Sequence, residues 1–97
     1  LTANASLFSL HLSFMKYDAE LLEATSIVIR RLREEKGFSQ EELAAQSGLS
    51  RSMIDRTERR ERLPSLDVLL KLAPALKTKA SAIVSLIEKE LEKKEGE

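Results

Sequence analysis

An all-α fold, a small domain of five helices, is what this sequence predicts, and three observations carry that expectation. Only three glycines and two prolines interrupt a long series of helix-forming residues. Apolar residues recur three and four positions apart over most of the chain, which is the period of one helix face. Between these stretches stand residues that start and stop helices, most plainly Ser39 with Glu42 three positions on, and the glycines 37 and 48.

The elements follow in order. Residues 1–17 stand apart as a leader, 18–94 form the domain, and 95–97 are expected to be a frayed tail. In the leader, Phe8, Leu10, Leu12 and Phe14 alternate with Ser9, His11 and Ser13, a period of two that predicts a short strand. Such a strand needs a partner, and the same strand of a second subunit would supply one. The other option is a disordered leader ahead of Met15. The segment is too short to cross a membrane and lacks the basic front of a signal peptide.

Asp18 can cap a first helix running to about Lys36, with Leu22, Val28, Ile29 and Leu32 inward and Gly37 ending it. Ser39 and Glu42 form an S-x-x-E capping box for a second helix whose apolar side is Leu43 and Ala44. Gly48 makes the turn, and Ser50 caps a third helix with Met53, Ile54 and Thr57 inward. Pro64 and Ser65 mark the start of a fourth, with Leu66, Leu69, Leu70 and Leu72 or Ala73 inside and Pro74 ending or kinking it. A fifth runs from about Lys79 to Lys94. Its stripe is Ile83, Leu86, Ile87 and Leu91, with Ile83 and Leu86 closing the core and Leu91 offered to a second subunit.

Composition narrows the function. At 97 residues the chain suffices for one modest core, built mainly from Leu, Ile, Val and Ala because aromatics are few. Without cysteine it has no disulfide and no thiolate metal site, which suits a cytoplasmic location. Formal net charge is zero, against a general nucleic-acid coat protein, yet the charge is unevenly spread. Five arginines lie between residues 51 and 62, against Asp55, Glu58 and Glu61, while acidic residues accumulate at both ends.

The stretch 39–59 therefore reads as two short helices at a glycine turn, the second presenting Arg51, Ser52, Asp55, Arg56 and Arg59 outward. A polar helix held at a fixed angle by its partner is suited to a DNA major groove. Three segments, LREEKGFSQEELA, SGLSRSMIDRTER and PSLDVLLKLAPAL, occur in an order and spacing that resembles the Cro/phage-repressor (Xre-like) helix-turn-helix family of bacterial and phage regulators. The likeness covers about Ile29 to Ile87 and implies a lambda-repressor-like domain.

It also implies roles. Gln40 matches a residue that anchors a backbone phosphate, in keeping with the attraction of a helix start for anions. Ser50, Arg51, Ser52 and Arg56 match positions facing DNA, where arginine can donate two hydrogen bonds to guanine. Asp55, four residues after Arg51, can orient it or accept from cytosine. Arg59, Arg60 and Arg62 fall where phosphate contacts position a protein without reading sequence. Arg33 and Glu58 match a structural ion pair. Arg60 stands where the family usually has glycine, so it must accept a positive φ or the turn must be rebuilt, and Lys77 replaces another usual glycine. Thr57 replaces a large aliphatic residue.

Catalysis has little to stand on. His11 is the only histidine, no nucleophile has a positioned base, and no metal-ligand cluster or cofactor motif occurs. The Glu34–Glu35 and Glu41–Glu42 pairs read as solvated helix surface. The resemblance implies a transcriptional regulator, a repressor, binding a palindromic operator in double-stranded DNA as a homodimer, with no membrane association. The alternative is an antitoxin that neutralises a partner toxin protein and represses its own operon, with the leader and fifth helix as toxin-binding parts.

Overall fold

Helix starts and stops divide the chain much as its capping residues demand. The structure is a computed structural model describing the backbone of residues 3–95 and the side chains of residues 19–94. Five helices follow one another: α1 (Ala3–Glu35), α2 (Gln40–Ser47), α3 (Arg51–Glu58), α4 (Leu66–Ala75) and α5 (Ala80–Glu95). Residues 96 and 97, and with them most of the expected tail, lie outside the described residues. Among the described residues there is no strand, and no helix is long and apolar enough to cross a membrane.

The start of α1 departs from expectation. It begins at Ala3, not Asp18, so residues 7–14 are helical where their alternation predicted a strand. Leu7, Leu10 and Phe14 are also spaced as one helix face, so the pattern fits either period. A helix satisfies its backbone donors internally, whereas a strand needs a neighbour. The side chains of this segment, His11 among them, lie outside the described ones.

One closure ends each of the first four helices. Amides donate five residues back, Phe38 to the Arg33 carbonyl at 3.1 Å and Leu49 to Ala44 at 3.2 Å. Glu61 donates in the same way to Arg56 and Thr78 to Ala73, each at 2.9 Å. Such a bond forces the residue before the donor into the left-handed region. Those residues are Gly37 (φ 71), Gly48 (φ 76), Arg60 (φ 64) and Lys77 (φ 55). Arg60 and Lys77 thus keep the turn and carry the strain that a glycine would avoid.

The core gathers from all five helices: Ala24, Val28 and Ile29 from α1, Leu43 and Ala44 from α2, Ile54 from α3, Val68, Leu72 and Ala73 from α4, and Ile83, Ile87 and Leu91 from α5. Three expectations are corrected. Leu21, not Leu22, packs against this core, because positions 21, 24, 28 and 32 share a face of α1. On α4 the inner face is Val68, Leu72 and Ala73, leaving Leu66 70% and Leu70 57% exposed. Leu91 is 6% exposed, packed in its own chain's core because α5 lies along the extended α1. Pro74 stands in the last turn of α4, which ends one residue later.

Candidate nucleic-acid interface

The geometry of the two central helices begins with their caps. The Ser39 hydroxyl accepts from the Glu42 amide at 3.0 Å, and the Glu42 carboxylate accepts from the Ser39 amide at 2.9 Å. This reciprocal bonding, with the Ser39 contacts as its main cause, lowers the Glu42 carboxyl below its ordinary range. At α3 the Ser50 hydroxyl accepts from the Met53 amide at 3.1 Å. Ile54 is buried in the core, and Thr57, also buried, donates its hydroxyl to the Met53 carbonyl at 2.9 Å. The polar group that replaces an aliphatic one here is therefore satisfied within its own helix.

The angle of α3 is set by Glu58, at its last residue. Its side chain is 0% exposed. Arg33 donates to it twice, Nε to Oε2 at 2.7 Å and Nη2 to Oε1 at 2.9 Å. Arg33 also donates through Nη1 to the Phe38 carbonyl at 2.8 Å, tying in the α1–α2 turn. Gln40 adds a hydrogen bond from Nε2 to Oε1 at 3.1 Å. Arg30 approaches last, with Nε 3.4 Å from Oε1 and Nη2 3.4 Å from the Glu58 carbonyl. Burial is the largest single influence on this carboxyl and pushes it up. The hydrogen bonds from Arg33, Gln40 and Arg30, with the charge of Arg33, outweigh burial and bring it below the ordinary carboxylate range. Arg33 in turn is held above its ordinary value, chiefly by the Glu58 hydrogen bond. One buried carboxylate thus joins α1, the start of α2 and the end of α3.

Opposite the buried side of α3, Ser50, Arg51, Ser52 and Arg56 are exposed and Asp55 is half-buried. Arg59, Arg60 and Arg62 continue the exposed basic surface into the following loop. Gln40 lies across the turn, half-buried, with its amide group engaged by Glu58. The acids that accompany these arginines differ from expectation in one respect. Asp55 does not meet Arg51; its Oδ2 lies 3.5 Å from Nη1 of Arg59, four residues along. Arg51 instead lies 3.3 Å from Glu41 on the first turn of α2. Glu61 stands between Arg56, at 3.8 Å, and Arg59, at 3.4 Å. Arg60 reaches back to α1, 3.8 Å from Glu23. The Glu23 carboxyl is lowered mainly by a hydrogen bond from Lys94, with the charges of Lys94 and Arg60 adding to it.

Arg30, Glu23 and Glu41 were not legible as parts of this surface. Arg30 lies one turn before Arg33 on the same face of α1, a spacing that could have placed it near Glu58. Glu41 and Arg51 stand on the first turns of successive helices, and only the crossing of those helices brings them together.

Comparison with known proteins agrees with this geometry. The helix-turn-helix family model matches residues 29–83. An uncharacterized HTH-type transcriptional regulator, y4dJ, of Sinorhizobium fredii is 48% identical over 46 residues, 47% of this chain. The chain spans 60% of that relative's length. Among solved structures, the restriction-modification controller protein C.AhdI from Aeromonas hydrophila is 44% identical, with a TM-score of 0.61 over 64% of this chain and 94% of its own. The controller protein C.Esp1396I, solved as a tetramer on its natural 35 base-pair operator, is 34% identical, with a TM-score of 0.66 over 73% of this chain and 93% of that one.

Proposed function

Because the chain belongs to the helix-turn-helix family of Cro/C1 (Xre-like) transcriptional regulators, we propose that it is a sequence-specific repressor that binds a palindromic operator as a homodimer. One observation carries the proposal. Arg51, Ser52 and Arg56 are exposed on a helix whose base is fixed by the buried Glu58 and whose flank is packed on α2. A rigid helix bearing arginines on its free face can enter a major groove and present planar donors to guanine. Ser50 and Gln40, at the starts of α3 and α2, sit where helix amides meet a phosphate. Arg60 and Arg62 supply positive charge beside them, so affinity should fall steeply with salt.

A palindrome requires two copies, and α4 and α5 offer a surface for pairing. Leu66 and Leu70, one turn apart, are exposed on α4, and Val84 is 42% exposed on α5. Large aliphatic groups left in water at this spacing favour burial against a second copy. With Leu91 occupied in its own core, these residues replace it as the seam. Two recognition helices about 34–36 Å apart would then read half-sites one DNA turn apart. Repression follows from blocking a promoter that overlaps the operator.

Selection of bound duplexes from a random library at near-physiological salt tests the proposal. An enriched palindrome with half-sites about one turn apart is the expected result. General, salt-sensitive binding without enrichment would overturn it and turn attention to a protein partner such as a toxin. Sedimentation of Leu70→Glu should show a weakened dimer; an unchanged association constant would remove α4 from the seam.

A further inference from the structure

The loop leaving α3 places an acid among arginines whose part in binding would be better served, at first sight, by another cation. Its position is not loose. The left-handed Arg60 turns the chain back, and the Glu61 amide donates to the Arg56 carbonyl at 2.9 Å. That bond sets Glu61 over the last turn of α3, where one carboxylate oxygen lies 3.8 Å from Nε of Arg56 and the other 3.4 Å from Nε of Arg59. Asp55 takes the far side of Arg59, 3.5 Å from Nη1.

We propose that Glu61 is a specificity-determining residue: it directs Arg56 toward base edges and restrains Arg59 from engaging phosphates on any sequence. The inference rests on the DNA-binding function proposed above and deepens it. Glu61 meets both arginines at Nε, and the difference between them comes from Asp55, which lies beside Arg59. Arg56 is approached along its Nε edge, which leaves the terminal nitrogens to make the paired donation that recognises guanine. Arg59 is flanked on two edges by Glu61 and Asp55, so much of its charge is answered within the chain. Phosphate attraction is the part of binding that ignores sequence. An acid that weakens it selectively raises the ratio of operator to random-DNA affinity while contributing little to folding, since exposed ion pairs are weak.

The test uses the full chain with Glu61→Gln, and measures affinity for the selected operator and for a scrambled duplex across a range of NaCl concentrations. Affinity for the scrambled duplex should rise roughly threefold to tenfold, with the slope of log K against log salt steeper by about 0.9, one added phosphate contact. Affinity for the operator should rise less, so the ratio falls, and Glu61→Asp should restore it. Adding Arg59→Gln to Glu61→Gln should cut the scrambled-duplex gain to below about twofold, because Arg59 is then no longer the released cation. An unchanged ratio and salt slope in Glu61→Gln would overturn the proposal, as would a gain that persists without Arg59. Unfolding of Glu61→Gln at a lower urea midpoint than wild type would also overturn it, since the residue would then serve the fold. A wild-type chain that selects no operator overturns the regulator function itself; an operator-selective wild type with an unchanged ratio overturns only the role of Glu61.

Discussion

Replacing Arg33 by methionine keeps the apolar stem and removes the guanidinium that meets Glu58. The Glu58 side chain is 0% exposed and that of Arg33 is 13% exposed, so water cannot take the guanidinium's place at the carboxylate without rearrangement. Breaking a buried pair from one side costs about 3–5 kcal/mol, much of it the stranded charge. Gln40 at 3.1 Å and Arg30 at 3.4 Å remain and offset part of this. The loss of the Arg33 bond to the Phe38 carbonyl works the other way. The expected destabilisation is about 2–4 kcal/mol, a large part of the roughly 5–15 kcal/mol a domain of this size commands. Urea unfolding followed by circular dichroism at pH 7 would show it as a midpoint lowered by about 1–2 M.

The pH dependence separates a stranded charge from lost packing. In the wild type the Glu58 carboxyl is held below its unfolded value, about 4.3, by contacts that outweigh its burial. Its contribution to stability is therefore present above that value and is lost as pH falls through the lower folded one. In Arg33→Met, burial acts with less to oppose it, so protonation relieves the penalty. The gap between variant and wild type should narrow as pH falls from 7 toward 3. Arg33→Met with Glu58→Met should recover most of the loss, because an apolar pair strands no charge. A deficit below about 1 kcal/mol at pH 7, or one that stays constant to pH 3, would refute the buried-carboxylate account.

Other perturbations have definite expected outcomes. Arg60→Gly and Lys77→Gly should each stabilise the fold by roughly 0.5–1 kcal/mol, since relief of left-handed strain exceeds the added freedom of the unfolded chain; thermal melts lower than wild type would place the strain elsewhere. Leu91→Ala should cost about 2–4 kcal/mol in unfolding, as a core truncation does; a normal melt with weakened dimerisation would return Leu91 to the subunit seam. Ser50→Ala removes the hydroxyl that receives the Met53 amide and should cost about 1 kcal/mol; amide exchange in the first turn of α3 should quicken, and unchanged protection there would argue against the cap.

Much of the local structure was legible because its causes are local. A serine cap acts on an amide three residues away, and a left-handed turn depends on carbonyls five residues back. Hence α2, α3 and the turns at residues 37 and 48 could be read from neighbouring letters alone. At Arg60 the letters left two options, a positive φ or a rebuilt turn, and the structure takes the first there and at Lys77. The leader was ambiguous for the same reason: a period of two and a helical period both fit its few apolar residues, and nothing nearby decides between them. On α4 several leucines could have faced the core, and only packing against α2 and α5 selects Leu72 over Leu66 and Leu70.

From the letters alone follow the caps and stops of α2 and α3, which helix carries the arginines, and which family's pattern they follow, since those features depend on bonds within a few residues. Packing of the helices selects which acid answers each arginine, which leucines remain in water, and how Arg30, Arg33 and Gln40 meet on one carboxylate. Coulomb forces and apolar burial act across space between residues far apart in the chain, so the order of the letters constrains them only after the helices have packed.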